Sequence, residues 1–67
     1  MTTGERIKEL RHRRLLTQEE LAELTGLAAA SISRIENGLQ NPNISTLKAL
    51  TKALDVDVTE ILDFDKE

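Results

Sequence analysis

The sequence of 67 residues has no cysteine, no tryptophan and no tyrosine, and its one aromatic residue is Phe64. Without cysteine there is no disulfide, no thiolate metal site and no thiol nucleophile. So short a chain must then hold its fold through local signals and apolar packing, or with the help of a partner. A single aromatic ring leaves no platform on which single-stranded bases could stack. No apolar run approaches the ~20 residues of a membrane span. The polar N-terminal stretch holds no signal-peptide core, so a cytoplasmic protein without membrane association is expected. The sequence also lacks a glycine-rich phosphate loop, a nucleophile–base pair and any cluster with metal-ligand spacing. No enzymatic activity, cofactor, metal or small-molecule ligand is therefore expected. His12, the sole histidine, stands between Arg11 and Arg13 and reads as an exposed residue.

Positive charge is scarce too. Nine Lys and Arg face twelve Asp and Glu, a net charge of −3. Taken as a sum, this argues against a nucleic-acid binder, which usually carries a basic footprint. The distribution says more. Residues 55–67 hold Asp55, Asp57, Glu60, Asp63, Asp65 and Glu67 against Lys66 alone, and 63–67 form an acidic tail. The remaining residues are net positive, with Arg6, Lys8, Arg11, Arg13 and Arg14 gathered near the start.

The apolar positions repeat at helical spacing, and no stretch alternates in the manner of a strand. The punctuation places five helices, at about 4–14, 18–25, 29–37, 44–54 and 58–63, in an all-α single domain covering 1–67. Thr2 with Glu5 and Thr17 with Glu20 stand at capping-box spacing, as do Asp57 and Glu60. Asn43 caps the fourth helix. Gly26 and the pair Asn37-Gly38 are stops, because these residues tolerate positive φ. The stripe Ile7, Leu10, Arg11 and Arg14 marks the inner side of the first helix. Leu21, Ala22 and Leu24 mark that of the second, and Ala28, Ile32 and Ile35 that of the third. Ile44, Leu47, Leu50, Ala53 and Leu54 serve the fourth, and Ile61 and Leu62 the fifth. One local conflict appears at Leu15. A helix exit there calls for positive φ, which strains a leucine by about 1–2 kcal/mol unless Leu15 or Leu16 packs well.

Two short helices, Gln18 to Thr25 and Ala29 to Asn37, are joined by a tight turn containing Gly26, the punctuation of a helix-turn-helix. The run T-Q-E-E-L-A-E-L-T-G-L-A-A-A-S-I-S-R-I-E-N-G, Thr17 to Gly38, closely resembles the phage repressor and Cro-like (Xre-type) helix-turn-helix family. The resemblance takes in I-K-E-L-R, Ile7 to Arg11, and N-P-N-I-S-T-L-K-A-L-T-K-A-L-D-V, Asn41 to Val56, and spans about residues 4–62. It implies a compact lambda-repressor-like domain of five helices whose third enters the DNA major groove. It further implies a homodimer on two half-sites. The candidate DNA contacts are Thr17, Gln18, Ala29, Ala30, Ser31, Ser33, Arg34 and Asn37.

Gln18 opens its helix, where its amide can bond adenine N6 and N7 together beside a helix N-terminus that favours a phosphate; the alternative is a solvated early-helix side chain. Arg34 can fork onto guanine O6 and N7, reach a phosphate, or form a surface ion pair. Ser31 and Ser33 suit bases or phosphates, or plain helix surface, and the stop role of Asn37 accounts for it as well as a phosphate does. The triplet Ala28-Ala29-Ala30 departs from the polar residues usual in the family. Its methyl groups would either touch thymine methyls or leave recognition to DNA shape. Arg11 falls within an apolar stripe and needs an acid, and Glu36, beside Ile35, is the candidate for a buried ion pair. Ile61, Leu62 and Phe64 form a candidate dimer patch, or else Phe64 closes the core.

The reading that follows is a sequence-specific regulator of transcription that binds double-stranded DNA as a homodimer on an inverted repeat. The alternative is a protein-interaction module on the same fold, antitoxin-like or an adaptor, which the alanine triplet and the acidic tail would favour.

Overall fold

A helix starts where a short polar side chain takes over backbone N–H groups that the helix itself cannot satisfy. In the computed structural model, which describes residues 2–62, three of the five helices start this way. Helix α1 (Thr3–Arg13) is capped by Thr2, whose hydroxyl accepts from the Glu5 N–H at 3.1 Å while the Glu5 carboxylate accepts from the Thr2 N–H at 2.8 Å. Helix α2 (Gln18–Thr25) repeats the device with Thr17 and Glu20, at 3.0 and 2.8 Å. Helix α4 (Ile44–Leu54) is capped by Asn43, which accepts from the Thr46 N–H at 2.8 Å. Helix α5 (Val58–Leu62) uses its box from one side, Glu60 accepting from the Asp57 N–H at 3.1 Å. Helix α3 (Ala29–Glu36) follows Ala28, which has no side-chain cap bond.

Helices α1 to α4 each end in a left-handed turn. Gly26 (φ 76°) and Gly38 (φ 78°) adopt it without steric cost. Gly38 alone carries the turn after α3, since Asn37 stays at φ −88°. Asp55 (φ 56°) does so after α4, and Leu15 (φ 57°) after α1. Leu15 is 90% exposed, so its own packing does not compensate the strain. The turn is fixed instead from Arg11, whose carbonyl accepts from the Leu16 N–H at 3.1 Å and whose Nη1 donates to the Leu16 carbonyl at 2.8 Å. Leu16 itself packs against the core.

The core consists of Ile7, Leu10, Leu21, Ala22, Ile32, Ile35, Leu50, Leu54 and Ile61. Helix α3 packs on α1 and α2, α4 closes against α2, and α5 lies across α1 and α4. Several inward assignments made from sequence are corrected. Ala28 is exposed because it precedes the helix, and Ala29 packs on the core in its place. Leu24 is exposed: the inner face of α2 runs through Leu21, Ala22 and Thr25, and Leu24 lies about 100° around the helix from it. Ile44 is exposed as the first residue of α4, a turn short of the half-buried Leu47. Arg14 lies past the end of α1 and meets Asp55 at 3.4 Å on the surface. Gly4 and Arg6 complete the buried side of α1 instead. Among the described residues no helix is long and apolar enough to cross a membrane. Phe64 and the acidic tail lie outside the described residues.

Candidate nucleic-acid interface

The turn Gly26-Leu27-Ala28 sets α3 across α2 at close range. The Gly26 and Leu27 N–H groups both donate to the Ala22 carbonyl, at 2.8 and 3.2 Å, which winds the chain tightly off α2. Ala22 is buried in the core one turn before Gly26, so a larger side chain there would crowd the packing of α2. A second close approach holds the far end of α3. A Cβ on Gly4 would stand 2.2 Å from the Ile35 carbonyl oxygen and 2.9 Å from that of Glu36, so α1 lies on the last turn of α3 only because this residue has no side chain. The sequence reading missed this role for Gly4. Its signal was a glycine inside a helix, a position that costs about 1 kcal/mol against alanine unless close packing requires it.

Between these two points lies an ionic cluster. Arg11 donates from Nε to Glu36 Oε2 at 2.7 Å and from Nη2 to Oε1 at 3.0 Å, and both side chains are buried. The hydrogen bond to Glu36 pushes the Arg11 guanidinium above its ordinary value, against the opposing effect of burial. Gln18 joins the same carboxylate, Nε2 donating to Glu36 Oε1 at 3.1 Å. The structure therefore brings Arg11, Glu36 and Gln18 together and gives the Gln18 amide a protein partner. Arg6 is a second buried arginine, which the sequence reading only counted among the positive charges gathered near the start. Its Nε donates to the Glu60 carbonyl at 2.9 Å and ties α1 to α5, and its Nη1 meets Glu9 at 2.6 Å. Glu9 also receives Arg13 at 3.2 Å, and its carboxyl is held below the usual range, first by the bond from Arg6.

The outward side of α3 carries Ala30 and Arg34, both exposed, with Ser31 and Ser33 half-buried at its margins. Ala29 belongs to the inner side, a correction to the outward position expected for it. The Arg34 guanidinium donates from Nε to Gln40 Oε1 at 3.1 Å and from Nη2 to Ser31 Oγ at 3.3 Å. Asn37, exposed at the helix end, donates from Nδ2 to Ser33 Oγ at 3.4 Å. Thr17 is exposed, with its hydroxyl engaged in the α2 cap. Glu36 is the one acid in α3 and is turned inward, so the outward face of α3 bears a positive charge and no negative one. The expected dimer patch lies apart, on α5. Ile61 must be removed from it: its side chain is fully buried in the core of the single chain, whereas Leu62 is 39% exposed. No group of residues suited to a metal ion occurs among the described residues.

The arrangement is found elsewhere. A family model described as helix-turn-helix matches residues 7–61. The immunity repressor protein of Bacillus phage phi105 is 44% identical over 62 residues, 92% of this chain and 43% of that one. The restriction-modification controller protein C.AhdI from Aeromonas hydrophila aligns at TM-score 0.87 with 35% identity, over 90% of this chain and 91% of that one. The master regulator for biofilm formation SinR, solved in complex with DNA, aligns at TM-score 0.89 with 41% identity, over 92% of this chain and 100% of that one. The chain spans less than half the length of the phage immunity repressor.

Proposed function

The chain belongs to the helix-turn-helix family, and from that premise we propose that it is a sequence-specific regulator of transcription, with α3 set in the major groove of double-stranded DNA. The observation that carries this reading is the charge on α3. The protein is net acidic, yet the single carboxylate of α3 is buried against Arg11, and its solvent face offers Arg34 with Ser31, Ser33 and Asn37. The outward face of α3 turns no carboxylate toward phosphates, whose charge would oppose one. The uncapped N-terminus of α3 adds N–H groups suited to a phosphate. The relatives named above as repressor or regulator, one of them held on DNA, support the same reading.

Base contact is assigned to Ala30 and Arg34, with Thr17, Gln18, Ser31, Ser33 and Asn37 at the margins or on phosphates. Two copies related by a two-fold axis would place their α3 helices about 34 Å apart, one turn of duplex. The exposed Val58 and Leu62 on α5 form the patch offered for that pairing. Selection from a random duplex pool, followed by titration against salt, tests the proposal. The expected outcome is an inverted repeat bound by two chains, with affinity falling steeply as salt rises. Binding that ignores both sequence and salt would favour the protein-interaction module instead.

A further inference from the structure

The turn after α3 does more than end the helix. With Gly38 in the left-handed conformation, the Leu39 N–H returns to the Arg34 carbonyl at 2.9 Å. The chain thus folds back over the last turn of α3 and brings Gln40 beside Arg34, six residues earlier. Arg34 Nε can only donate, so the atom of Gln40 facing it at 3.1 Å is the amide oxygen. Arg34 Nη2 also donates, to Ser31 Oγ at 3.3 Å.

A guanidinium is planar and rigid, with five N–H groups. Nε and one N–H of Nη2 form its side edge. Nη1 and the other N–H of Nη2 form its end edge. Here Gln40 takes Nε on the side edge, and Ser31 takes one N–H of Nη2. Among the described residues no carboxylate pairs with Arg34, and beyond Gln40 and Ser31 its Nη1 and one N–H of Nη2 are left as donors. Two parallel donors match the O6 and N7 acceptors of guanine in the major groove. Because the group is rigid, fixing one edge fixes the aim of the other.

We propose that Gln40 is a positioning residue: by accepting from Arg34 Nε it aims the end edge of Arg34 at a guanine, and so sets base preference without touching a base. The proposal rests on the DNA-binding reading above and deepens it by naming the base class at one position.

The test uses the duplex selected with the unaltered protein, together with a set in which each base pair is changed in turn. If the unaltered protein discriminates at no position, the DNA-binding reading fails before any variant is made, and this proposal falls with it. Given discrimination, Arg34→Ala should relax one G·C position, reducing preference there by about 5- to 150-fold. Gln40→Ala should relax that same position, and the double variant should lose little more. Gln40→Glu keeps an acceptor for Nε while adding a negative charge, so it should weaken binding to all duplexes alike and retain the guanine preference. In the free protein, the Arg34 Nε–H resonance should exchange faster with solvent in Gln40→Ala, at an unchanged melting temperature. The proposal is overturned, with the DNA-binding reading intact, if Gln40→Ala keeps the preference or weakens every duplex by one common factor. Loss of the preference in Gln40→Glu overturns it as well.

Discussion

An arginine marks each of the two faces of α3, and the two are held in opposite ways. On the inner face Arg11 reaches Glu36 through two charged bonds, at 2.7 and 3.0 Å, with both side chains removed from water. On the outer face Arg34 is held by the neutral oxygens of Gln40 and Ser31, in solvent. The chemistry of the side chain is the same, and its surroundings assign the work. A buried guanidinium that lost its acid would be left as an uncompensated charge, so Arg11 is committed to the fold. An exposed one resting on neutral acceptors is not needed to balance a buried charge, and its remaining donors are available to a partner from outside.

Removing the inner arginine should produce the largest effect. Arg11→Ala leaves Glu36 buried and unpaired and frees the Leu16 carbonyl, so a loss of about 3–5 kcal/mol is expected in chemical denaturation. Because Arg11 is held above its ordinary value by the Glu36 carboxylate, its contribution is present at neutral pH and, as the pH rises, is lost only in strong alkali. A melt of Arg11→Ala that matches the unaltered protein would erase the contrast between the faces. The next effect should come from Gly4→Ala, which drives a methyl into the Ile35 and Glu36 carbonyls. Loss of about 1–3 kcal/mol is expected, since α1 must back away from α3. Neutrality there would mean that the helices are not in register at this crossing.

The inner face was largely legible from sequence, and the outer one was not. Thr2, Thr17, Asn43 and Gly26 announce the helix ends because capping is local chemistry, complete within a few residues. The positions of Arg11 and Glu36 also carry a signal, since charges within apolar stripes call for one another. The roles of Gly4 and Arg6 depend on which helix lies opposite, and nothing within α1 states that. Ile61 and Leu62 were read together as one apolar pair, but a helix of 3.6 residues per turn sends neighbours about 100° apart, one into the core and one to solvent. Gln40 was invisible for a related reason: it joins Arg34 only once Gly38 has turned the chain back.

Smaller effects are expected where strain or exposed charge is involved. Leu15→Gly should stabilise the protein by about 0.5–1 kcal/mol, because the strain of φ 57° is relieved and a side chain 90% exposed gives up no packing. A loss of stability would show that Leu15 contributes contacts its exposure denies. At Glu9 the sign follows from a lowered carboxyl. Its contribution is present above the unfolded value near 4.5 and lost as the pH falls through the lower folded value. In an acid titration Glu9→Gln should therefore lose less stability below about pH 4.5 than the unaltered protein. The difference should be slight, since the Glu9 side chain itself is open to solvent.

The smallest stability effect is expected at Arg34, and it bears most directly on the contrast between the faces. Arg34→Ala removes two hydrogen bonds to exposed neutral groups, and water replaces both. Alanine is also the better helix former, which offsets part of even that loss. The melting curve should shift by no more than about 0.5 kcal/mol, while preference at a single base pair of the selected duplex relaxes. A drop in stability comparable with that of Arg11→Ala would mean that both arginines serve the fold, leaving α3 no free charge to offer DNA. An unchanged melt with uniformly weaker binding to every duplex would keep the outer face functional but move Arg34 from a base to a phosphate.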